Sequence, residues 1–270
     1  MNYVELVIHS ANTEIFDMVI AELSLYGYDG FEESIASIKA FIKEDEFDKA
    51  FIQSLSEKYH FKYSPSIIPH QNWNQLWESN FEPINVDGFV GVRAEFHPPV
   101  ENVLHEIIIT PKMSFGTGHH ATTFMMMQLM RDVNFKNRSV FDFGTGTGIL
   151  AILAEKLGAS KIIAIDNDDW CIENAVENVL KNECQNIEIK KGESANLKQP
   201  FQIIIANINR NIILENITYL IDNLIVGGIL LLSGLLKEDE FTIRVSCEKS
   251  GLSFEKIVEK NGWIALEFTR

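Results

Sequence analysis

The chain has 270 residues, a length that suits one or two domains. Hydrophobic residues make up 46%, enough for a packed core and too many for a disordered chain. A formal net charge of −15 argues against the basic stripe of a nucleic-acid binder; it suits a basic partner or plain solubility.

From the N-terminus, YVELVIH alternates as a strand does. TEIFDMVIAELSLYG carries Ile15, Phe16, Val19, Ile20 and Leu23 on one helical stripe, with Gly27 as its stop. SIKAFI reads as a strand, DEFDKAFIQSLSEKY as a helix and FKYSPSII as a strand. This β-α-β-α-β order predicts a small α+β unit of ferredoxin-like type over residues 1–65. To residue 65 it holds five Lys, four Asp and eight Glu and no glycine-rich ligand loop, so it reads as a recognition module. Pro65 and Pro69 mark a linker over 66–84. Within it, NWNQLWESNFEPI places Trp73, Leu76, Trp77 and Phe81 at helical spacing, either a helix packed between domains or an aromatic ligand surface. The third span, 85–270, opens with FVGVRAEF and HEIIITP, a pair of strands.

The glycine-rich TPKMSFGTGHHATT then leads into the apolar FMMMQLM, a helix beginning at Thr122 or Thr123. From Asn137 the alternation is regular. SVFDFG, KIIAID, IEIKKG, FQIIIANI and ILLLSG read as strands; GILAILAEKLGA, DDWCIENAVENVLKNE (capped by Asp168 or Asp169), RNIILENITYLIDNLI and EDEFTIRVSCEKSG read as helices. Such alternation means a parallel sheet with helices on both faces. Asn261-Gly262 between two strand-like runs signals a hairpin, so the last strand is antiparallel. That ending is expected of methyltransferase domains more than of dehydrogenase domains. The expected fold class is α/β, Rossmann-like with a mostly parallel sheet, an antiparallel terminal hairpin and the small N-terminal domain attached, the pattern of a class I S-adenosylmethionine methyltransferase.

Phe-Gly-Thr-Gly occurs twice, at Phe115 and at Phe143. The second copy puts Gly144, Gly146 and Gly148 between a buried strand and a helix, where glycines permit a tight turn and close approach of backbone to ligand. Its G-x-G-x-G spacing differs from the G-x-G-x-x-G of dinucleotide binders, and no Lys-Ser or Lys-Thr follows to make a P-loop. Asp166 ends the next strand, placed to accept from both hydroxyls of a ribose. Asp142 lies near the turn, where it repels a pyrophosphate but not the ammonium or sulfonium of S-adenosylmethionine. A turn that binds nothing, and a nicotinamide site sharing Gly144, Gly146 and Asp166, remain the alternatives. Ser194 and Ala195, after the third strand, stand where an adenine is usually bordered. Asn207 ends the fourth strand, at the mouth of the ligand crevice. Amine and amide methyltransferases often carry Asn or Asp there before Pro-Pro; here Ile208-Asn209 follows. Asn207 therefore holds an N–H of the acceptor, or caps the helix RNIILEN, or does both.

Metal is not expected. His119 and His120 are adjacent and do not converge on one ion, and Cys171, Cys184 and Cys247 are scattered, which suits a reducing compartment. MNYVELVIHS has no basic n-region and holds Glu5, and LIVGGILLLSGLL is too short for a membrane span, so a cytoplasmic protein is expected.

With these residues together, the chain resembles the ribosomal protein L-eleven methyltransferases. Their signature loop runs close to Pro-Gly-Met-Ala-Phe-Gly-Thr-Gly-Thr-His-x-Thr-Thr, and Pro111 to Thr123 reads PKMSFGTGHHATT. VFDFGTGTGILAI, ANI and NWNQLWESNFEPI match as well, so the resemblance spans nearly the whole chain. It implies S-adenosylmethionine contacts at Thr123, Gly144, Asp166 and Asn207. Asp142, Gly146 and the loop's Phe115 and Gly116 are counted with them, and Asn207 is the candidate catalytic residue. Lys112 stands in place of glycine and His119 in place of threonine; His120 matches. The implied reaction is multiple methylation, at lysine side chains and the N-terminal amine of a basic large-subunit ribosomal protein, docked on the acidic N-terminal module without direct nucleic-acid or membrane contact. A ribosomal RNA or small-molecule methyltransferase is the alternative. His119 and His120 are the candidate bases, beside release of the proton to water.

Overall fold

The computed structural model describes residues 2–10, 15–28, 30–34, 37–68, 81–112 and 116–270. They fall in two compact units, Met1–Ser79 and Asn80–Arg270, each considered by itself.

In the first unit, strands β1 (Tyr3–His9), β2 (Gly30–Ser34), β3 (Ser37–Lys43) and β4 (Lys62–Ile68) form an antiparallel sheet in the order β2-β3-β1-β4. Helices α1 (Phe16–Leu25) and α2 (Lys49–Tyr59) connect them. The inward residues Val4, Leu6 and Ile8 of β1 and Ile38, Ala40 and Ile42 of β3 bury against Val19, Leu23, Ile52 and Leu55 of the helices. Asp48 caps α2, accepting from the N–H groups of Ala50 (2.8 Å) and Phe51 (3.1 Å). The sequence reading lacked β2. Its run GFEES has neither alternation nor β-branched residues, and pairing with β3 makes it a strand. With it the order is β-α-β-β-α-β. Pro65 does not open a linker: it lies inside β4, which among the described residues is an edge strand paired with β1 alone, where a missing N–H is tolerated. The unit accordingly runs past residue 65. Trp73, Leu76 and Trp77 lie outside the described residues.

The second unit starts with a three-stranded sheet: β5 (Ile84–Val86) antiparallel to β6 (Val90–Arg93), which is parallel to β7 (His105–Ile108). Helix α3 (Ala121–Asp132) follows. The main sheet then builds from β8 (Ser139–Phe143), α4 (Ile149–Lys156), β9 (Lys161–Asp166), α5 (Asp169–Lys181), β10 (Ile187–Lys191), β11 (Phe201–Asn207), α6 (Arg210–Asn223), β12 (Leu224–Leu236), α7 (Glu240–Lys249), β13 (Ser253–Lys260) and β14 (Trp263–Thr269). Its strand order is β10-β9-β8-β11-β12-β14-β13, parallel up to β12 and antiparallel beyond. Asn261 and Gly262 turn the hairpin with φ of 53° and 78°, as a two-residue primed turn requires. β12 begins before Gly227 and Gly228, earlier than ILLLSG suggested; a register shift on β11 between Phe201 and Ile203 accommodates the glycine pair.

Apolar clusters fill both faces of this sheet. Met125, Met126, Leu129 and Ile152 belong to one, from α3 and α4; Ile213, Leu220, Ile243 and Cys247 belong to the other, from α6 and α7. Each such fully buried side chain stabilises the fold by roughly 1.5–3 kcal/mol before entropy is counted. The connections diverge from β8, with β9 on one side and β11 on the other, so a crevice opens at the carboxyl ends of β8 and β11. Among the described residues no helix is long and apolar enough to cross a membrane.

Candidate active site

The turn after β8 is built on three glycines at positive φ: Gly144 (78°), Gly146 (56°) and Gly148 (81°). The N–H groups of Gly144 and Thr145 donate to the Ile165 carbonyl, both at 2.9 Å. Asp166 takes two backbone donors, Gly146 N–H at 2.9 Å and Asp168 N–H at 3.1 Å. Its carboxylate is thereby fixed beside the turn. Of the two capping candidates for α5, Asp168 does it, accepting from Trp170 N–H at 2.7 Å.

A cleft of about 530 Å³ opens here, within the range of small-molecule sites. Phe143, Gly144, Gly146 and Asp166 line one side, Asn207, Ile208 and Gly234 another, and His120 and Trp263 a third. Its lining carries three carboxylates, Asp166, Asp168 and Glu193, and among the described lining residues no Lys or Arg. Such a cleft repels a pyrophosphate and attracts a cation.

Asn207 is 7% exposed. Its Nδ2 donates to Thr123 Oγ1 at 3.3 Å, while its Oδ1 is buried and has no donor among the described residues. A buried acceptor left without a donor costs about 1–3 kcal/mol, so this atom is arranged for an incoming N–H or O–H. Asn207 is not the cap of α6; Asn209, two residues on, accepts from Ile212 N–H at 3.1 Å. Thr123 lies fully buried behind Asn207 and does not line the cleft.

Asp142 also stays out of the cleft lining. It is 1% exposed, with Oδ2 accepting from Thr145 Oγ1 at 2.6 Å and Oδ1 without a full hydrogen bond among the described residues. Burial pushes its pKa up to about 7 and the charge of Asp166 adds to the push, while the Thr145 hydroxyl and, more weakly, the Ala151 backbone N–H pull against it.

The two Phe-Gly-Thr-Gly stretches meet. Thr147 Oγ1, fully buried, donates to the Gly116 carbonyl at 2.6 Å. Gly116 has φ of 100°, and a Cβ there would stand 3.0 Å from the same hydroxyl. Phe115 lies outside the described residues. Lys112 pairs with Glu177 at 2.6 Å, which holds the Glu177 carboxyl down at about 2; the family glycine's freedom is not needed, since Lys112 is not among the positive-φ residues. Of the two histidines, His120 lines the cleft, its Nδ1 2.8 Å from Thr122 Oγ1 and its ring edge-on to Trp263 at 4.8 Å. His119 turns to Phe81, centroids 4.7 Å apart. Ser194 and Ala195 are directed to Asn216 Oδ1, at 3.3 and 2.9 Å, and the neighbours that line the cleft are Gly192 and Glu193. Trp263 and Gly234 were missed as site residues. The Asn-Gly turn immediately before Trp263 was the available signal for the first.

A strand–turn–helix that tethers a carboxylate, a cation-favouring cleft and a sheet closed by an antiparallel hairpin fit an S-adenosyl cofactor. The protein is a class I S-adenosylmethionine-dependent methyltransferase. A family model described as ribosomal protein L11 methyltransferase (PrmA) matches residues 6–270. A ribosomal protein L11 methyltransferase of Porphyromonas gingivalis is 42% identical over 262 residues, covering 94% of this chain and 90% of the relative. One of Bacteroides thetaiotaomicron is 37% identical over the full length of both chains. The crystal structure of a ribosomal protein L11 methylase from Lactobacillus delbrueckii subsp. bulgaricus superposes with a TM-score of 0.66 at 30% identity, covering 70% of this chain and 99% of that one. The chain belongs to the ribosomal protein L11 methyltransferase (PrmA) family.

Proposed function

We propose that this protein methylates amines of ribosomal protein L11, at lysine side chains and at the N-terminal amine, with Asn207 receiving the acceptor nitrogen. The unpartnered Oδ1 of Asn207 carries this reading: it is a buried acceptor at the carboxyl end of β11, held in orientation by Thr123 through Nδ2. Asp166 would take the ribose hydroxyls, with Gly144 and Gly146 giving the close backbone approach beside it. Asp142, Gly116 and Thr123 support these groups from behind.

S-adenosylmethionine supplies a sulfonium, already an activated methyl donor. The chain's own residues have two tasks, to place the amine in line and to keep it neutral. A free lysine has a pKa of about 10.4, so roughly one in a thousand is neutral near pH 7.4. Desolvation at Asn207 and Trp263 favours the neutral form, and Asn207 Oδ1 accepts an N–H from it. The displaced proton goes to water, and His120 is the histidine placed to relay it.

The first unit, with net charge −7 to residue 65, would dock a basic protein by charge complementarity. The three cysteines, Cys171, Cys184 and Cys247, are few and scattered along the chain, which suits the cytoplasm. Incubating purified ribosomal components with methyl-labelled cofactor tests the proposal. Label is expected on L11; label on ribosomal RNA alone refutes a protein substrate. Removing residues 1–79 should cut methylation of L11 at low salt while leaving cofactor affinity intact; unchanged methylation would refute docking by that unit.

A further inference from the structure

Only Ile208 and Asn209 separate the end of β11 from the start of α6. Where related sites stiffen this segment with prolines, here it is gripped from outside. Ile208 N–H donates to the Ser233 carbonyl at 3.1 Å. On one side stands Gly144, where a Cβ would fall 2.2 Å from Ile208 Cγ2. On the other stands Gly234, φ 82°, where a Cβ would fall 2.2 Å from the Ile208 carbonyl oxygen and 2.6 Å from its carbon. Gly234 sits at the irregularity where the β12–β14 register shifts between Leu232 and Leu235, a place where a strand is re-aimed. All three residues line the cleft next to Asn207.

We infer that Gly234 is a positioning residue for the methyl acceptor: with Gly144 it clamps Ile208, and the clamp sets where Asn207 Oδ1 meets the amine. The inference rests on the proposed role of Asn207. The two jaws differ in kind. A Cβ on Gly144 would meet a side-chain atom, which truncation of Ile208 clears, leaving the strain of its positive φ. A Cβ on Gly234 would meet backbone, which no side-chain change clears.

The test uses the full-length protein, L11 and S-adenosylmethionine. Gly234→Ala should lower kcat by about 100-fold, the cost of roughly an ångström of misplacement, with the cofactor Kd from calorimetry within about threefold of the parent. Gly144→Ala should weaken cofactor binding, and adding Ile208→Ala should restore it by about tenfold. Adding Ile208→Ala to Gly234→Ala should restore no turnover. Parent-like kcat in Gly234→Ala, a parallel loss of its cofactor affinity, or rescue of both glycine variants or of neither would overturn the clamp. If Gly234→Ala does not fold, the Gly144 pair together with Ile208→Ala alone decides. The single variant should lose about tenfold in kcat at unchanged cofactor Kd, and an unchanged kcat would overturn the clamp. Should the parent itself fail to methylate L11, the functional reading falls; the Gly144 rescue, read by cofactor binding alone, still judges the clamp.

Discussion

Replacing Asp142 by Asn should stabilise the protein at neutral and alkaline pH and change little near pH 4. The carboxyl is buried, with one oxygen satisfied by Thr145 at 2.6 Å and the other without a full hydrogen bond among the described residues, and its pKa stands at about 7. In the unfolded chain it returns to about 3.9. The folded value is the higher one, so between the two the native state holds a proton that the unfolded state has lost. Stability therefore falls as pH rises from about 4 to about 7 and levels off above. The shift of about three units corresponds to about 4 kcal/mol at the plateau, at 1.36 kcal/mol per unit. Asn keeps an oxygen for Thr145 and carries no charge, so the variant escapes this loss. Urea unfolding of both proteins from pH 4.5 to 8.5, followed by tryptophan fluorescence, reads the difference. Partial burial also lowers the His105 pKa and adds its own slope in acid, but equally in both proteins. The variant-minus-parent stability should climb across pH 4–7. Parallel curves would show that Asp142 is ionised in the fold without penalty and that the reasoning is mistaken.

Asp166→Ala should abolish tight cofactor binding, because it removes both the proposed ribose acceptor and the anchor for the Gly146 and Asp168 N–H groups; retained affinity by calorimetry would refute the placement. Asn207→Ala should lower kcat for L11 methylation by about 10²–10³-fold with cofactor Kd nearly unchanged, as expected for a group that acts on the acceptor. Thr147→Val removes a buried donor and leaves the Gly116 carbonyl unpaired. It should cost about 1–3 kcal/mol of stability in thermal or urea unfolding, with an unshifted midpoint counting against the contact.

Local patterns carried much of this molecule. Gly144, Gly146 and Asp166 were legible because a buried strand, a turn and a helix follow one another in a short window, and the turn needs glycine wherever φ is positive. The hairpin was legible for the same reason at Asn261-Gly262. What escaped depends on pairing across the chain. β2 exists because β3 offers it an edge, and β12 starts early because β11 holds Leu224 beside Phe201. Gly234 and Trp263 enter the cleft through the register of β12 and β14, over long sequence separation. The cap of α6 was missed by two residues, since Asn207 and Asn209 are chemically alike and only the end of the strand tells them apart.

The hydrogen bond from Thr147 to Gly116 bears on traffic. To part the two glycine loops the protein must break a contact shut away from water and lift Gly118 from Ile84, a cost that the exposed rim does not carry. The opposite rim is Asn167, Asp168 and Glu193, all exposed. The cleft thus carries its negative charge on its exposed rim, and a cation arriving from solvent meets Asp168 and Glu193 before it meets the buried Asn207.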